Sequence, residues 1–142
     1  MIPNPWDPGS ARALAGLGFP ALATTSSGFA WSQGRPDNGV SKEEALAHFR
    51  AISSSVEIPV NGDFEGGFAV EPEAVAANVG AAVATGVAGL SIEDSTGNPA
   101  DPLFEYSLSV ERVRAARSEY SNKGSAPGSR SPRWWAPSRR NP

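Results

Sequence analysis

The chain contains no cysteine, which excludes disulfides, thiolate metal sites and a cysteine nucleophile together. It also lacks any run near the roughly 18 consecutive apolar residues of a membrane span. The opening MIPNPWDPGS has no basic region followed by an apolar core, so no export signal is expected and a soluble, cytoplasmic protein is. There is no GxxxxGK[ST] loop and no GxGxxG after the first expected strand, so nucleotide binding lacks support. Histidine occurs once, as His48. It falls inside an expected helix, well away from the strand ends, and reads as structural or solvated. A Ser–His–Asp triad is thereby left without its base.

What is present is unevenly charged. The 142 residues carry a net charge of −3, and that length suits one small domain or a piece of a larger one. Residues 121–142 hold Lys123, Arg130, Arg133, Arg139 and Arg140 and no acid, so the body has 7 basic and 15 acidic residues. An acidic body thus meets a basic tail. The tail SNKGSAPGSRSPRWWAPSRRNP is rich in Ser, Pro, Gly and Arg without helical or strand periodicity, and it reads as disordered. A rival reading makes it an arm whose arginines meet phosphates while Trp134 and Trp135 stack on bases or enter a membrane interface. The disordered reading is preferred, with neither nucleic acid nor membrane expected as a partner.

Short apolar runs alternate with amphipathic ones along the body. ARALAGLGF places Ala11, Leu14, Ala15 and Leu17 on one helical stripe with Gly18 to end it. PALATTSSG reads as a strand passing into Thr24, Thr25, Ser26 and Ser27. SKEEALAHFRAISSS is a helix opened by a Ser41/Glu44 capping box, with Ala45, Leu46, Phe49 and Ile52 inward. IPVNGDF is a strand, and EPEAVAANVGAAVATG is a helix with Pro72 in its first turn and Gly86 at its end. VAGLSIEDS is a strand. SLSVERVRAARSEY is a helix with Leu108, Val110, Val113, Ala115 and Ala116 mostly inward and Arg112, Arg114 and Arg117 outward. Counting MIP as the stub of a first strand, the order is βαβαβαβα.

Such alternation implies a parallel sheet, either open and doubly wound or closed as a barrel. Both architectures place ligands at the carboxyl ends of the strands. Polar residues gather there: Asn4 and Asp7, Thr24 to Ser27, Asn61 to Glu65, Glu93 and Asp94. Trp6 and Trp31 flank the expected mouth. Grouped carboxylates repel unless a cation sits among them or some stay protonated. With oxygen donors only, Mg²⁺ is the expected ion and Mn²⁺ its substitute. For any single acid, helix capping or loop solvation is the blander explanation, and the TTSSGF segment reads either as a Ser/Gly turn or as a cradle for a carboxylate or phosphate.

NPWDPGSAR, ALATTSSGFAWSQGRPD, VNGDFEGGF and GVAGLSIEDS, in that order, resemble the isocitrate lyase/phosphoenolpyruvate mutase superfamily across nearly all of residues 3–120. The resemblance implies a (β/α)8 TIM-type barrel, Mg²⁺, and lyase or mutase chemistry at C–C or P–C bonds of a 2-oxo acid or related carboxylate, through an enolate-like intermediate. It further implies homo-oligomeric full-length relatives. By position, Ser27, Gly28 and Phe29 match the segment holding the substrate's carboxylate or phosphoryl end. Asp37, Asn61, Asp63 and Glu93 match the metal-binding positions.

Three departures bear on function. Asn61 replaces the first acid of a DxD pair, removing one negative charge. The loop STGNPADPLF after the ED motif lacks the lysines, cysteine and histidine of isocitrate-type lyases and the Lys/Asn loop of the mutases, so neither chemistry is expected in its usual form. Eight βα units need about 250 residues, whereas residues 1–120 supply about four. The expectation is therefore a truncated barrel over 1–120 and a basic, disordered 121–142 translated out of frame or ended early. A non-catalytic fragment with residual metal or carboxylate binding, or an assembly role, is the second functional reading.

Overall fold

The computed structural model describes residues 1–124, and most of the expected tail lies outside the described residues. Eight elements follow in order: α1 (Pro8–Gly16), β1 (Leu22–Ala23), α2 (Ser26–Ser32), α3 (Lys42–Ser55), β2 (Val60–Asp63), α4 (Pro72–Val83), β3 (Gly89–Ser91) and α5 (Tyr106–Gly124). The last helix runs past residue 120, so residues 121–124 are helical.

Local chemistry explains the helix starts. Asp7 caps α1 by accepting from the Ser10 backbone N–H at 2.8 Å, and the Ser10 side chain returns the bond. Ser41 and Glu44 form the expected reciprocal box at the start of α3. Replacing Ser41 with alanine is therefore expected to cost about 1 kcal/mol, read as a lower urea midpoint at unchanged slope. Pro72 opens α4, where a missing N–H costs nothing. Gly18 and Gly86 follow α1 and α4 in left-handed conformations, at φ +88° and +93°.

The three strands are parallel and lie in sequence order, β1-β2-β3. Leu22 pairs with Val60, Asn61 with Gly89 and Asp63 with Ser91. Burial alternates along β2, with Val60 and Gly62 covered and Asn61 and Asp63 half-exposed. The covered face meets the helices through three packed groups. Ala11, Leu22, Ile52, Val56 and Val60 form one, and Phe49, Phe64, Ala82 and Val87 another. Val75, Val79 and Ala116 form the third. Each fully buried Val, Leu or Phe contributes about 1.5–3 kcal/mol. The opposite face carries the small or polar Ala23, Asn61, Asp63, Gly89 and Ser91. Helices on one face of a sequentially ordered parallel sheet mean that successive crossovers share one side, unlike a doubly wound sheet.

The expected first strand is absent. Residues 1–7 form no strand, although the Pro3 carbonyl accepts from the Ala23 N–H at 3.1 Å. Pro3 and Pro5 have no N–H to return to a ladder. The run after β1 also differs from expectation: Thr25 to Ser27 belong to the start of α2, with Thr25 as its cap. Leu17, expected on the inward stripe, is exposed because α1 ends before it.

The largest departure is in α5. Val113 is 52% exposed, whereas Arg112 is 1% exposed. Arg112 donates to the carbonyls of Gly66, Ala69 and Val70. Its guanidinium also lies over the Phe104 ring, 3.8 Å from the centroid. Carbonyls in the turn after β2 have no ladder partner, and a planar five-donor fork satisfies several at once. The same helix is tied to the sheet where the Tyr120 hydroxyl donates to the Ala88 carbonyl at 2.6 Å. No helix among the described residues is long and apolar enough to cross a membrane.

Candidate functional site

Asp63 ends β2 on the polar face, two residues beyond Asn61. Its Oδ2 accepts from both the backbone N–H and the hydroxyl of Ser26, each at 2.9 Å. Its own N–H donates to Thr24 Oγ1 at 2.8 Å. The carboxylate therefore clamps the end of β2 to the start of α2. It does cap a helix, but the preceding one, and one oxygen remains for other use.

Glu65 follows in the left-handed region at φ 48°, with Gly67 and Phe68 at 77° and 55°. This turn reverses the chain and brings Glu65 beside the next strand end, where its carbonyl accepts from the Glu93 N–H at 2.8 Å. Register continues the argument: Asp63 is level with Ser91, so Glu93 leaves β3 two residues further on. Glu65 is 7% exposed, and burial pushes its carboxyl up to about 7, with Asp37, Asp63 and Glu93 adding to the rise. The Glu93 carboxyl is also raised, first by burial and then by Asp63, Asp37 and Asp94. Asp37 sits in the exposed connection between α2 and α3. Its carboxylate accepts from the Asn38 N–H at 3.0 Å.

Asp37, Asp63, Glu65 and Glu93 thus share one electrostatic neighbourhood although they are distant in sequence. Sequence reasoning left Glu65 out of the metal positions. Its signal was an acid set among glycines directly after a strand. Among the described residues, no three carboxylate or imidazole groups converge closely enough to grip a metal ion directly. The donor set nevertheless fits a hard cation in kind: it is oxygen only, and its mutual repulsion favours positive charge between its members. Held partly through water, such an ion would rest on Asp37, Asp63 and Glu93.

Asn61 shares the face of Asp63 but is turned across the sheet. Its amide donates to Ser91 Oγ at 3.0 Å. A Cβ on Gly89 would stand 2.9 Å from Asn61 Oδ1. Its visible role is a cross-strand polar pair between β2 and β3.

Ser27, Gly28 and Phe29 lie together in the first turn of α2. The Ser27 and Thr25 hydroxyls are 3.2 Å apart. A Cβ on Gly28 would come within 2.5 Å of Trp6 Nε1, so this glycine lets the indole pack against α2. Trp6 meets Trp31 edge to face at 6.3 Å, and both are substantially exposed. The Phe29 ring stacks on His48 at 3.9 Å and 14°. Asn4 and Asp7 are structural: the Asn4 amide donates to the Ala23 carbonyl at 2.9 Å, and Asp7 caps α1.

His48 corrects an expectation. It does not lie away from the strand ends but lines a crevice with Thr24, Asp63 and Glu65. The helix face that carries Ala45, Phe49 and Ile52 inward also carries His48, because α3 packs over the end of β2. Burial lowers the imidazole from 6.5 to about 4, against a smaller opposing pull from Asp7. Below pH 6.5 the unfolded chain takes a proton that the folded chain refuses until about 4, so stability falls as pH falls through that window. Its full extent is on the order of 3 kcal/mol. Glu65, with its carboxyl raised to about 7, acts in the opposite sense over nearly the same window. The His48 contribution is therefore read as the difference between urea titrations of the native chain and His48→Gln. The variant should lose stability more steeply as pH rises from about 4 to 6.5.

Sequential parallel strands with helices on one side, and acids gathered where the strands end, define an α/β protein of the class whose ligand sites lie at the carboxyl-end rim of a parallel sheet. The chain belongs to the phosphoenolpyruvate phosphomutase family, which matches residues 1–126, and hence to the phosphoenolpyruvate mutase/isocitrate lyase superfamily. A protein of Burkholderia cenocepacia J2315, provisionally described as a lyase/mutase, is 44% identical with a TM-score of 0.81 over 84% of this chain and 43% of its own. A 2,3-dimethylmalate lyase of the superfamily is 31% identical with a TM-score of 0.78, over 87% of this chain and 44% of its own. An uncharacterised protein of Mycobacterium tuberculosis (strain ATCC 25618 / H37Rv) is 35% identical over 117 residues, 82% of this chain and 43% of that protein. The chain therefore spans less than half the length of these relatives.

Proposed function

We propose that this chain supplies the metal- and carboxylate-binding portion of a Mg²⁺-dependent lyase or mutase of (β/α)8 barrel type, with Mn²⁺ as a substitute ion. Its substrate is a 2-oxo acid or related carboxylate, and the reaction passes through an enolate-like intermediate. The observation that carries this reading is the convergence of strand-end acids: the Glu93 N–H donates to the Glu65 carbonyl at 2.8 Å, and both carboxyls, raised first by burial, also feel Asp63 and Asp37. The similarity to a 2,3-dimethylmalate lyase supports cleavage next to a carboxylate. On this reading residues 1–120 are the partial barrel, α5 carries it on to residue 124, and the basic stretch that follows is an appendage.

Asp37, Asp63 and Glu93 hold the cation, largely through water, with Asn61 contributing at most its amide oxygen. When bound, the cation supplies electrostatic stabilisation of charge developing on the substrate's oxygens. The protein's own groups do the rest. Ser27 and the backbone around Gly28 and Phe29 orient the substrate's carboxylate. Glu65 holds a proton near neutrality beside the site.

A second reading, a non-catalytic fragment with residual metal or carboxylate binding, is favoured by one observation: the chain spans only 43% of the length of its 44%-identical relative. Mn²⁺ titration of the purified chain, followed by a turnover screen against 2-oxo acids and related dicarboxylates, separates the two. Turnover abolished by Asp63→Ala supports the enzyme. Ion binding with no turnover supports the fragment, and absence of ion binding removes the metal-site proposal altogether.

A further inference from the structure

The crevice between α2, α3 and the end of β2 contains the two buried side-chain atoms that have no hydrogen-bond partner among the described residues, His48 Nε2 and Glu65 Oε1. Both residues are more than nine-tenths buried. A buried polar atom left unpaired is destabilising, and two at one narrow crevice invite one shared remedy. Thr24, also buried, lines the same space. Its Oγ1 already accepts from the Asp63 N–H, which leaves the hydroxyl proton to donate. Asp63 Oδ2 is occupied by Ser26. The remaining walls include Val40, Ala45 and Phe49, which offer side chains with no polar atom. The ring of His48 is held flat against Phe29, so the plane of its nitrogens is fixed.

A ligand with two hydrogens to give and a lone pair to receive matches these three groups, and a buried water typically makes about three such bonds. We propose that one water molecule is bound in this crevice, donating to His48 Nε2 and Glu65 Oε1 and accepting from the Thr24 hydroxyl, and that His48 is thereby a positioning residue for the Glu65 carboxyl. The water links α3 to the acid rim without any direct contact between His48 and substrate or ion. The positioning clause rests on the metal-binding reading above; the water site does not.

His48 is the single histidine of the chain, so long-range proton–nitrogen spectra of the whole protein report one ring without ambiguity. The expected result is a neutral ring protonated at Nδ1, with Nε2 accepting a hydrogen bond and a cross-relaxation peak from the ring to a slowly exchanging water. Nε2 found protonated, or the absence of that water peak, overturns the water site in the unaltered chain. The positioning role is read from Mn²⁺ affinity. His48→Phe keeps the stacked ring but no nitrogen, and is expected to weaken binding about tenfold. His48→Gln restores a polar end and should recover most of the loss. Equal affinity of His48→Phe and native chain overturns the positioning role. If the native chain binds no Mn²⁺, the metal reading fails and takes this clause with it, while the spectra still decide the water site.

Discussion

Arg112→Ala is expected to remove about 3–5 kcal/mol of stability, a large share of the 5–15 kcal/mol typical of a folded domain. The side chain is buried with no carboxylate partner among the described residues, and its charge is spent on the carbonyls of Gly66, Ala69 and Val70. Truncation leaves those acceptors under a buried void and also removes the contact with Phe104. The Glu65–Val70 turn then loses its tie to α5. Since this turn carries Glu65, the acid rim should loosen along with the fold. Lysine at 112 keeps the charge but not the planar fork, so it should rescue little. Urea unfolding followed by circular dichroism checks this. A midpoint within about 1 kcal/mol of the native chain would mean that the turn is held by its own left-handed residues.

Asp63→Asn should separate two roles that one carboxylate performs. Asparagine still offers an oxygen to the Ser26 N–H and hydroxyl, so the join between β2 and α2 survives at a cost of about 1 kcal/mol or less. The negative charge is lost, and Mn²⁺ affinity is expected to drop by roughly ten- to a hundredfold. The Glu65 and Glu93 carboxyls should both titrate closer to their ordinary range, because Asp63 is among the charges that raise them. Carbonyl-carbon NMR of the two glutamates follows this directly. Unchanged ion affinity in a folded variant would reduce Asp63 to a helix cap.

These expectations turn on contacts that differ in how visible they were beforehand. The capping box at Ser41 and the Pro72 and Gly86 limits of α4 are written in neighbouring residues and stand as the sequence suggests. Asn61 and Asp63 share a face because strand side chains alternate with a period of 2. The expected first strand is absent because prolines at 3 and 5 remove the donors a ladder needs. Charge alone places Arg112 outward, yet it is buried. Its burial depends on three carbonyls more than 40 positions away, which no helical stripe encodes.

By itself, then, the sequence determined the parallel strands, the capped start of α3, the limits of α4 and the presence of acids just beyond strand ends, because caps, turns and strand alternation act over a few residues. Only the tertiary structure decided which acids share a field, that Gly28 makes room for Trp6, and that His48 faces Thr24, Asp63 and Glu65. Those outcomes arise where crossovers stack α2 and α3 over the end of β2. Burial and electrostatic coupling depend on distance through space, and separation along the chain does not set that distance.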